Sequence, residues 1–565
     1  MPYRPIAARW LVLAAVLLAL CWLLPNHALP WLSFQSDAWA AFVLLLIACW
    51  LLPQAGRLNP WSRQSLAVLT LALLPAVQWA AGQIPYFGAA WVQVLYLAGL
   101  ALAWRLGEVW EGVHPSQALD FLFLACSLAA LVSVGLQLQQ WFGLAGGTWV
   151  LQVDYGQRLY ANMAQPNHLA SLDLLGLLGV AWAYARKRLG AGVALCAAVW
   201  LLLGLVLTES RTAYLNVLLL FAACVLRRKL LPQGRFLWAC SALILGFAAA
   251  VAVLPQAKLW VARVAAPEQW KEAPDYAYRG MSDPARIKAW TVFLDASTRR
   301  PWLGYGWGRT PAAELAVVAE HPGATGYFTS AHNLVLDLVL WNGYPLGLLI
   351  AGALFWWWWQ RWRALQSFAH WLLLASLSVL LSHAMLEYPL QYAIFLLPFG
   401  LLAGTLHASQ ESPPQKRRLP GLDLLLLLGC ALALVVTVRD YLEVERSFYG
   451  LRFESAHIRT NQARTPPQVL VLDYLADYID FARTPPQSGL QSQQFDAMQD
   501  LVSTLPSAKV ILLLAQNYAR NGQFANAQHW LLVLRKSMDP TVTARMRADW
   551  AEDPLYRAVD WPDAP

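Results

Sequence analysis

The sequence predicts an all-α protein: a polytopic membrane helix bundle of about thirteen transmembrane helices, with a large loop and a helical C-terminal domain on the outer side. Three observations predict it. Of 565 residues, 58% are hydrophobic and 13% charged, whereas water-soluble domains carry roughly 25% charged residues. The mean hydropathy is +0.43. Apolar runs of about 17–20 residues, the length that crosses a hydrocarbon core, recur from end to end. A membrane β-barrel would instead show weakly alternating segments of about ten residues. The 30 tryptophans suit long membrane–water interfaces.

The first run, Trp10 to Leu24, follows Arg4 and Arg9 in the manner of a signal peptide. No small-x-small cleavage site follows and further apolar runs do, so it reads as a retained first helix. Later spans centre near residues 45, 74, 96, 127, 177, 199, 219 and 245, then near 351, 378, 398 and 430. This divides the chain into an N-terminal bundle, 1–254, a long loop, 255–330, a second group of spans, 331–438, and a tail, 439–565. Within the loop, "SDPARIKAWTVFLDAS" has helical period, with Ser282 as N-cap and Pro284 near the helix start. The turn-rich "RRPWLGYGWGRTP" follows it. In the tail, Ala515, Ala519, Gly522, Phe524 and Ala527 are spaced as in one tetratricopeptide-like helix–turn–helix. The hexapeptide "ARTPPQ", at Ala463 to Gln468 and again at Ala482 to Gln487, marks two Pro-rich helix breaks.

The net charge of +8 reads as topology rather than as a nucleic-acid surface. One set of alternate connections holds Arg57 and Arg63, Arg105, Arg186-Lys187-Arg188, Arg227-Arg228-Lys229 and Arg235, Arg361 and Arg363, and Lys416-Arg417-Arg418. The opposite short loops carry little beyond Arg158 and Arg211. The positive-inside rule then puts the N-terminus in the cytoplasm, and an odd span count puts the C-terminus outside. The seven cysteines all lie in apolar runs without a C-x-x-C pair, so neither a disulfide framework nor a zinc site is indicated. There is no Walker A loop, metal-ligand cluster or Gly-rich nucleotide fingerprint, which argues against ATP-driven transport.

On this topology the polar clusters all fall outside, as if forming one extracytoplasmic site. "AQPNHLA" sets Gln165, Asn167 and His168 at the outer start of a helix, to cap it or to bind sugar hydroxyls. Arg211 leaves the membrane on the side that normally avoids positive charge; a guanidinium there suits phosphate or pyrophosphate, although interfacial anchoring is equally open. Arg286 shares a helical face with Trp290, and Arg279 is a nearby alternative. Glu387 and Tyr388 precede a helix-breaking Pro389; an ionisable group at that depth points to function, or to a pairing with arginine. In "TSAHNLVLDLVLWNGYPLG", His332 opens an apolar run, and Asn333 and Asp337 share a helical face. His332 is a proton acceptor on one reading and an interfacial helix cap on the other.

Taken together, "ARIKAWTVFLDASTRRPWLGYGWG", "TSAHNLVLDLVLWNGYPLG", "AQPNHLA" and "HAMLEYPLQYAIFLLPFG" resemble the superfamily of O-antigen ligases, Wzy-type polymerases and protein O-oligosaccharyltransferases of the PglL type. The last two segments and the sizeable tail look like the protein-glycosylating branch. The resemblance covers most of residues 155–405. It implies a glycosyltransferase of the bacterial inner membrane that moves a glycan from undecaprenyl pyrophosphate to Ser/Thr hydroxyls of periplasmic proteins such as pilins. By the same resemblance His332 is the essential histidine, and Arg211 and Arg286 hold the donor pyrophosphate, with Arg279 as the nearby alternative. Gln165, Asn167, His168, Asn333, Glu387 and Tyr388 are the expected contacts to glycan or acceptor. Direct displacement would invert the anomeric centre, and the scheme calls for neither metal nor cofactor. The same chemistry with lipid A-core or another glycan as acceptor is the nearest alternative. A lipid-linked glycan transporter is a more distant one, since it would want polar groups through the membrane depth and internal pseudo-symmetry.

Overall fold

The computed structural model describes residues 8–55, 61–154, 157–232, 234–265, 284–322, 327–411, 421–458, 465–554, 556 and 558–562. Arg57, Arg279, Ser282 and Lys416 to Arg418 lie outside the described residues. Among those described, every regular element is a helix. The order is α1 (Ala8–Leu23), α2 (Phe34–Ala55), α3 (Arg63–Leu71), α4 (Leu74–Ala80), α5 (Phe87–Val113), α6 (Gln117–Trp141), α7 (Pro166–Ala185), α8 (Ala191–Leu207), α9 (Arg211–Leu226) and α10 (Gly234–Ala265). Then come α11 (Pro284–Arg299), α12 (Thr310–Leu315), α13 (Leu334–Arg363), α14 (Phe368–Ala384), α15 (Ala393–Gln410) and α16 (Leu422–Ser455). The tail holds α17 (Asp473–Arg483), α18 (Ser492–Thr504), α19 (Ala508–Arg520), α20 (Phe524–Ser537) and α21 (Pro540–Glu552).

The all-α polytopic reading holds. Eight described helices are long and apolar enough to cross a membrane, and α1, α8, α9 and α14 are shorter apolar helices. The span expected near residue 74 is instead two short helices. α3 stops at Leu71, and Pro75 sits in the first turn of α4, where a missing N–H does least harm. Arg105, counted above among the loop charges, lies inside α5. Its side chain is 1% exposed and its guanidinium donates to both carboxylate oxygens of Asp423, at 2.8 and 3.1 Å. A buried guanidinium demands such a bidentate partner.

The chain divides into two compact units. Unit 1 comprises residues 1–70, 96–281 and 355–432; unit 2 comprises 71–95, 282–354 and 433–565. In unit 1, α6 packs on α7, α1 and α8, while α15 packs on α14 and α2. α15 is central, with 83% of its apolar window buried, and α10 is peripheral, with 11%. Small residues let the helices approach. A side chain at Gly404 would overlap the carbonyl of Trp104, and a Cβ on Gly176 would lie 2.8 Å from the Cβ of Ala130.

Unit 2 is organised around a break. α13 is two helices joined at Gly343, whose φ of 74° and ψ of 171° are not helical. The carbonyls freed by the break accept hydrogen bonds from the turn-rich segment: Tyr305 N donates to Leu340 O (2.7 Å), Gly306 N to Trp341 O (3.1 Å), and Tyr344 N returns to Pro301 O (2.7 Å). A Cβ at Gly343 would overlap the Trp302 backbone, and one at Gly304 would overlap the Leu340 carbonyl. Gly304 of "PWLGYGWG" and Gly343 therefore answer a backbone-to-backbone contact that only glycine permits. Gln78 on α4 completes it: its amide nitrogen donates to Trp341 O (3.2 Å) and Asn342 Oδ1 (3.0 Å), and its Oε1 accepts from Trp307 N (2.8 Å). In the tail, α19 and α20 form a helix–turn–helix about Gly522 (φ 72°) with Ala515, Ala519 and Ala527 buried and Phe524 exposed.

Candidate active site

In unit 1, Gln165 is the N-cap of α7, its side-chain oxygen accepting from Asn167 N and from His168 N (3.3 Å). Capping fixes the first turn and points Asn167 inward, where it is 6% exposed. Asn167 Nδ2 donates to Glu387 Oε1 at 2.9 Å. Its Oδ1 accepts from Arg158 Nη2 at 2.7 Å and from Ser210 Oγ at 2.8 Å. Arg158 Nε donates to Thr208 O at 2.8 Å. One amide thus ties together the loop before α7, the cap of α9 and the "EYPL" turn. Arg158 had stood out only as an exception to the charge pattern; its role in this node depends on partners remote in sequence.

His168, 2% exposed, packs edge-on among aromatic rings: Tyr392 at 4.7 Å, Phe395 at 5.5 Å, His383 at 5.5 Å and Tyr388 at 6.2 Å between centroids. His383 Nδ1 lies 2.7 Å from Ser171 Oγ. Gln165 and Tyr388 are the half-buried members of the cluster, and Glu387 is 3% exposed. Arg211 is the first residue of α9 and is exposed, directly after Ser210, whose hydroxyl caps that helix through Ala213 N (3.2 Å). An exposed guanidinium at a helix N-terminus presents a positive end suited to an anion.

In unit 2, the cap of α13 is Asn333, whose Oδ1 accepts from Leu336 N at 3.1 Å. His332 stands one residue before the cap, so the interfacial-cap reading of the histidine gives way to a loop position. Its φ is 52°, left-handed, and its half-buried ring meets Phe328 edge-on at 5.6 Å. Asp337, 2% exposed, accepts from Thr310 Oγ1 (2.8 Å), Ser330 Oγ (2.5 Å) and Ala331 N (2.9 Å). Arg286 is half-buried on α11. One turn further along, Trp290 Nε1 donates to Ala331 O at 2.9 Å, which fastens that helix to the histidine loop. Beyond it, burial lowers the pKa of Arg309 to about 10, and this arginine donates to Ser503 Oγ (2.8 Å) and Thr504 Oγ1 (3.0 Å) on α18. Thr310 and Ser330 drew no attention in the sequence; their hydroxyls acquire meaning only once Asp337 is placed beside them.

Membrane-length helices carrying buried polar nodes, with a histidine in the loop before a broken helix, suit a polytopic membrane enzyme better than an anchor. Known proteins agree. The O-antigen ligase family model matches residues 196–351, the protein glycosylation ligase model matches 159–182, and the model for the C-terminal part of virulence-factor membrane-bound polymerases matches 371–538. A general O-oligosaccharyltransferase of Acinetobacter baylyi is 30% identical over 538 residues, covering 93% of this chain and 92% of that protein. A ComP-specific O-oligosaccharyltransferase of the same organism is 25% identical over 359 residues, 63% of each chain. The chain belongs to the O-oligosaccharyltransferase family and is a membrane glycosyltransferase.

Proposed function

We propose that this protein transfers a glycan from undecaprenyl pyrophosphate to Ser/Thr hydroxyls of periplasmic proteins, pilins among them, in the bacterial inner membrane. The N-terminus is cytoplasmic, and the active site and the tail are periplasmic. The observation that carries the reading is His332, half-buried before a helix cap and braced by Asp337, within a chain similar over 93% of its length to a general O-oligosaccharyltransferase. Pyrophosphate is a good leaving group, so the enzyme has mainly to hold it and neutralise the charge developing on the leaving oxygen. Arg211 and Arg286, with Arg279 as the alternative, are assigned that role. The acceptor hydroxyl loses its proton as it attacks the anomeric carbon, and His332 accepts that proton. The carbon–oxygen bond to pyrophosphate breaks as the new glycosidic bond forms, with inversion and without a metal step. Gln165 and Tyr388 are the contacts to glycan or acceptor best placed in unit 1, with Asn167, His168 and Glu387 behind them. Asn333 fixes the helix that follows the histidine. The division at residues 254, 330 and 438 is the proposed functional division.

The test is reconstitution. Purified protein in liposomes receives an undecaprenyl-pyrophosphate glycan and a pilin-like acceptor, and intact mass spectrometry follows the acceptor. The expected result is a glycan-sized mass shift, reduced at least about 100-fold in rate by His332→Ala. Full activity of that variant would remove the histidine from the mechanism. A second reading, transfer to lipid A-core or to another glycan, draws on the ligase and polymerase family matches. It would be adopted if those acceptors, and not the protein, gained the glycan.

A further inference from the structure

We propose that Asp337 is the positioning residue for His332. This inference rests on the reading of His332 as the proton acceptor. The left-handed conformation of His332 (φ 52°) is unfavourable for any residue carrying a Cβ, and such a conformation persists only where its surroundings over-determine it. Here the surroundings converge on one carboxylate. Asp337 Oδ1 holds Ala331 N (2.9 Å), the peptide immediately before the histidine, together with the Thr310 hydroxyl (2.8 Å). Its Oδ2 accepts the hydrogen bond from the Ser330 hydroxyl (2.5 Å). That bond leaves the Ser330 oxygen to accept from His332 N (3.1 Å), so the serine passes the constraint to the histidine's own backbone.

The carboxylate is itself fixed. Asp337 N donates to Asn333 O within the first turn of α13 (2.9 Å), and Thr310 also accepts from Trp341 Nε1 one turn on (2.8 Å). The opposite side of the loop is closed by Trp290 on Ala331 O (2.9 Å). A buried carboxylate with three donors holds a loop more firmly than a neutral group can, because charge-assisted bonds are roughly twice as strong. Asn at 337 would keep Oδ1 as acceptor for Ala331 and Thr310 and turn its amide toward Ser330, so most of the arrangement survives. Ala would lose all three bonds.

The experiment uses the full chain in nanodiscs and compares Asp337→Ala, Asp337→Asn, Ser330→Ala and His332→Ala. Two readouts are taken: kcat and KM for glycan transfer, and the rate at which diethylpyrocarbonate modifies each histidine, mapped by peptide mass spectrometry. The expected result for Asp337→Ala is a kcat lower by at least about 100-fold at unchanged donor KM. The modification rate of His332 should change while those of the other histidines do not, and Asp337→Asn should restore most, but not all, of both. Ser330→Ala should shift both in the same direction by less, and it carries the comparison if Asp337→Ala does not accumulate. An unchanged His332 modification rate, or a change shared by all histidines, would overturn the proposal. Full activity of His332→Ala with a selective change at His332 in Asp337→Ala would instead overturn the proton-acceptor reading and leave the positioning intact.

Discussion

The two polar clusters are built on opposite plans. Around Asn167 the partners come from the loop before α7, the cap of α9 and the turn after α14, and the polar atoms face one another. Around His332 the partners lie between Thr310 and Asp337, and their bonds go to backbone and carboxylate while the imidazole is left half-buried. A node whose polar atoms satisfy each other holds helices together; a loop braced from behind presents a ring. The expectation is then that the first arrangement answers mainly to stability and the second mainly to rate.

That contrast can be broken most sharply by exchanging the readouts. Asn167→Leu removes the hydrogen bonds to Arg158 Nη2, Ser210 Oγ and Glu387 Oε1, and should cost about 3 kcal/mol of stability. Because Asn167 lies behind Gln165 and Tyr388, the rate per folded molecule should fall by less than in His332→Ala. Thermal unfolding in detergent and active-site-normalised kinetics measure the two separately, and a stable but inactive Asn167→Leu protein would place the node at the substrate instead. Gly343→Ala comes next, at about 3 kcal/mol, from a backbone conformation open essentially to glycine and from overlap with the Trp302 backbone. Both stability and rate should fall, because the break and the histidine loop belong to one half-helix.

A smaller effect is expected at Asp173 on α7, fully buried with neither carboxyl oxygen hydrogen-bonded to a described residue. Replacing an uncompensated buried carboxyl removes a liability, so Asp173→Asn should leave stability within about 1 kcal/mol or raise it; a large loss would reveal a partner that the node comparison overlooks. The smallest effect concerns Asp295, whose carboxyl is held below the ordinary carboxylate range chiefly by the hydrogen bond from His321, with Arg299 assisting. A depressed carboxylate stabilises at neutral pH, and that contribution is lost as pH falls through the depressed value. His321→Ala should therefore flatten the acid limb of a stability–pH profile while leaving neutral-pH transfer unchanged.

The sequence made the second cluster easier to read than the first, for a physical reason. Local patterns announce local structure: the Gly343–Pro345 interruption marks the break in α13, and Asn333 with Asp337 four residues on marks one helical face. The apolar runs likewise announce the bundle, because crossing a hydrocarbon core demands length and composition that little else imposes. Partnerships between distant residues leave no such trace. Arg105 looked like a loop charge because Asp423 is 318 positions away. Gln78 was an unremarked amide in an apolar run until Trp307 and Asn342 met it. The break near residue 74 was hidden because two short apolar helices have the hydropathy of one long one.

The break at Gly343 also bears on bilayer thickness. A straight helix of 30 residues would be about 45 Å long, half as long again as a hydrocarbon core of about 30 Å. Such a mismatch is relieved by tilting the whole rod, and a histidine at its end would swing with it. Divided at Gly343, the later segment alone, about 30 Å from Tyr344 to Arg363, matches the lipid. On the proposed topology, tilting of that segment to suit a thicker or thinner membrane need not carry the histidine with it.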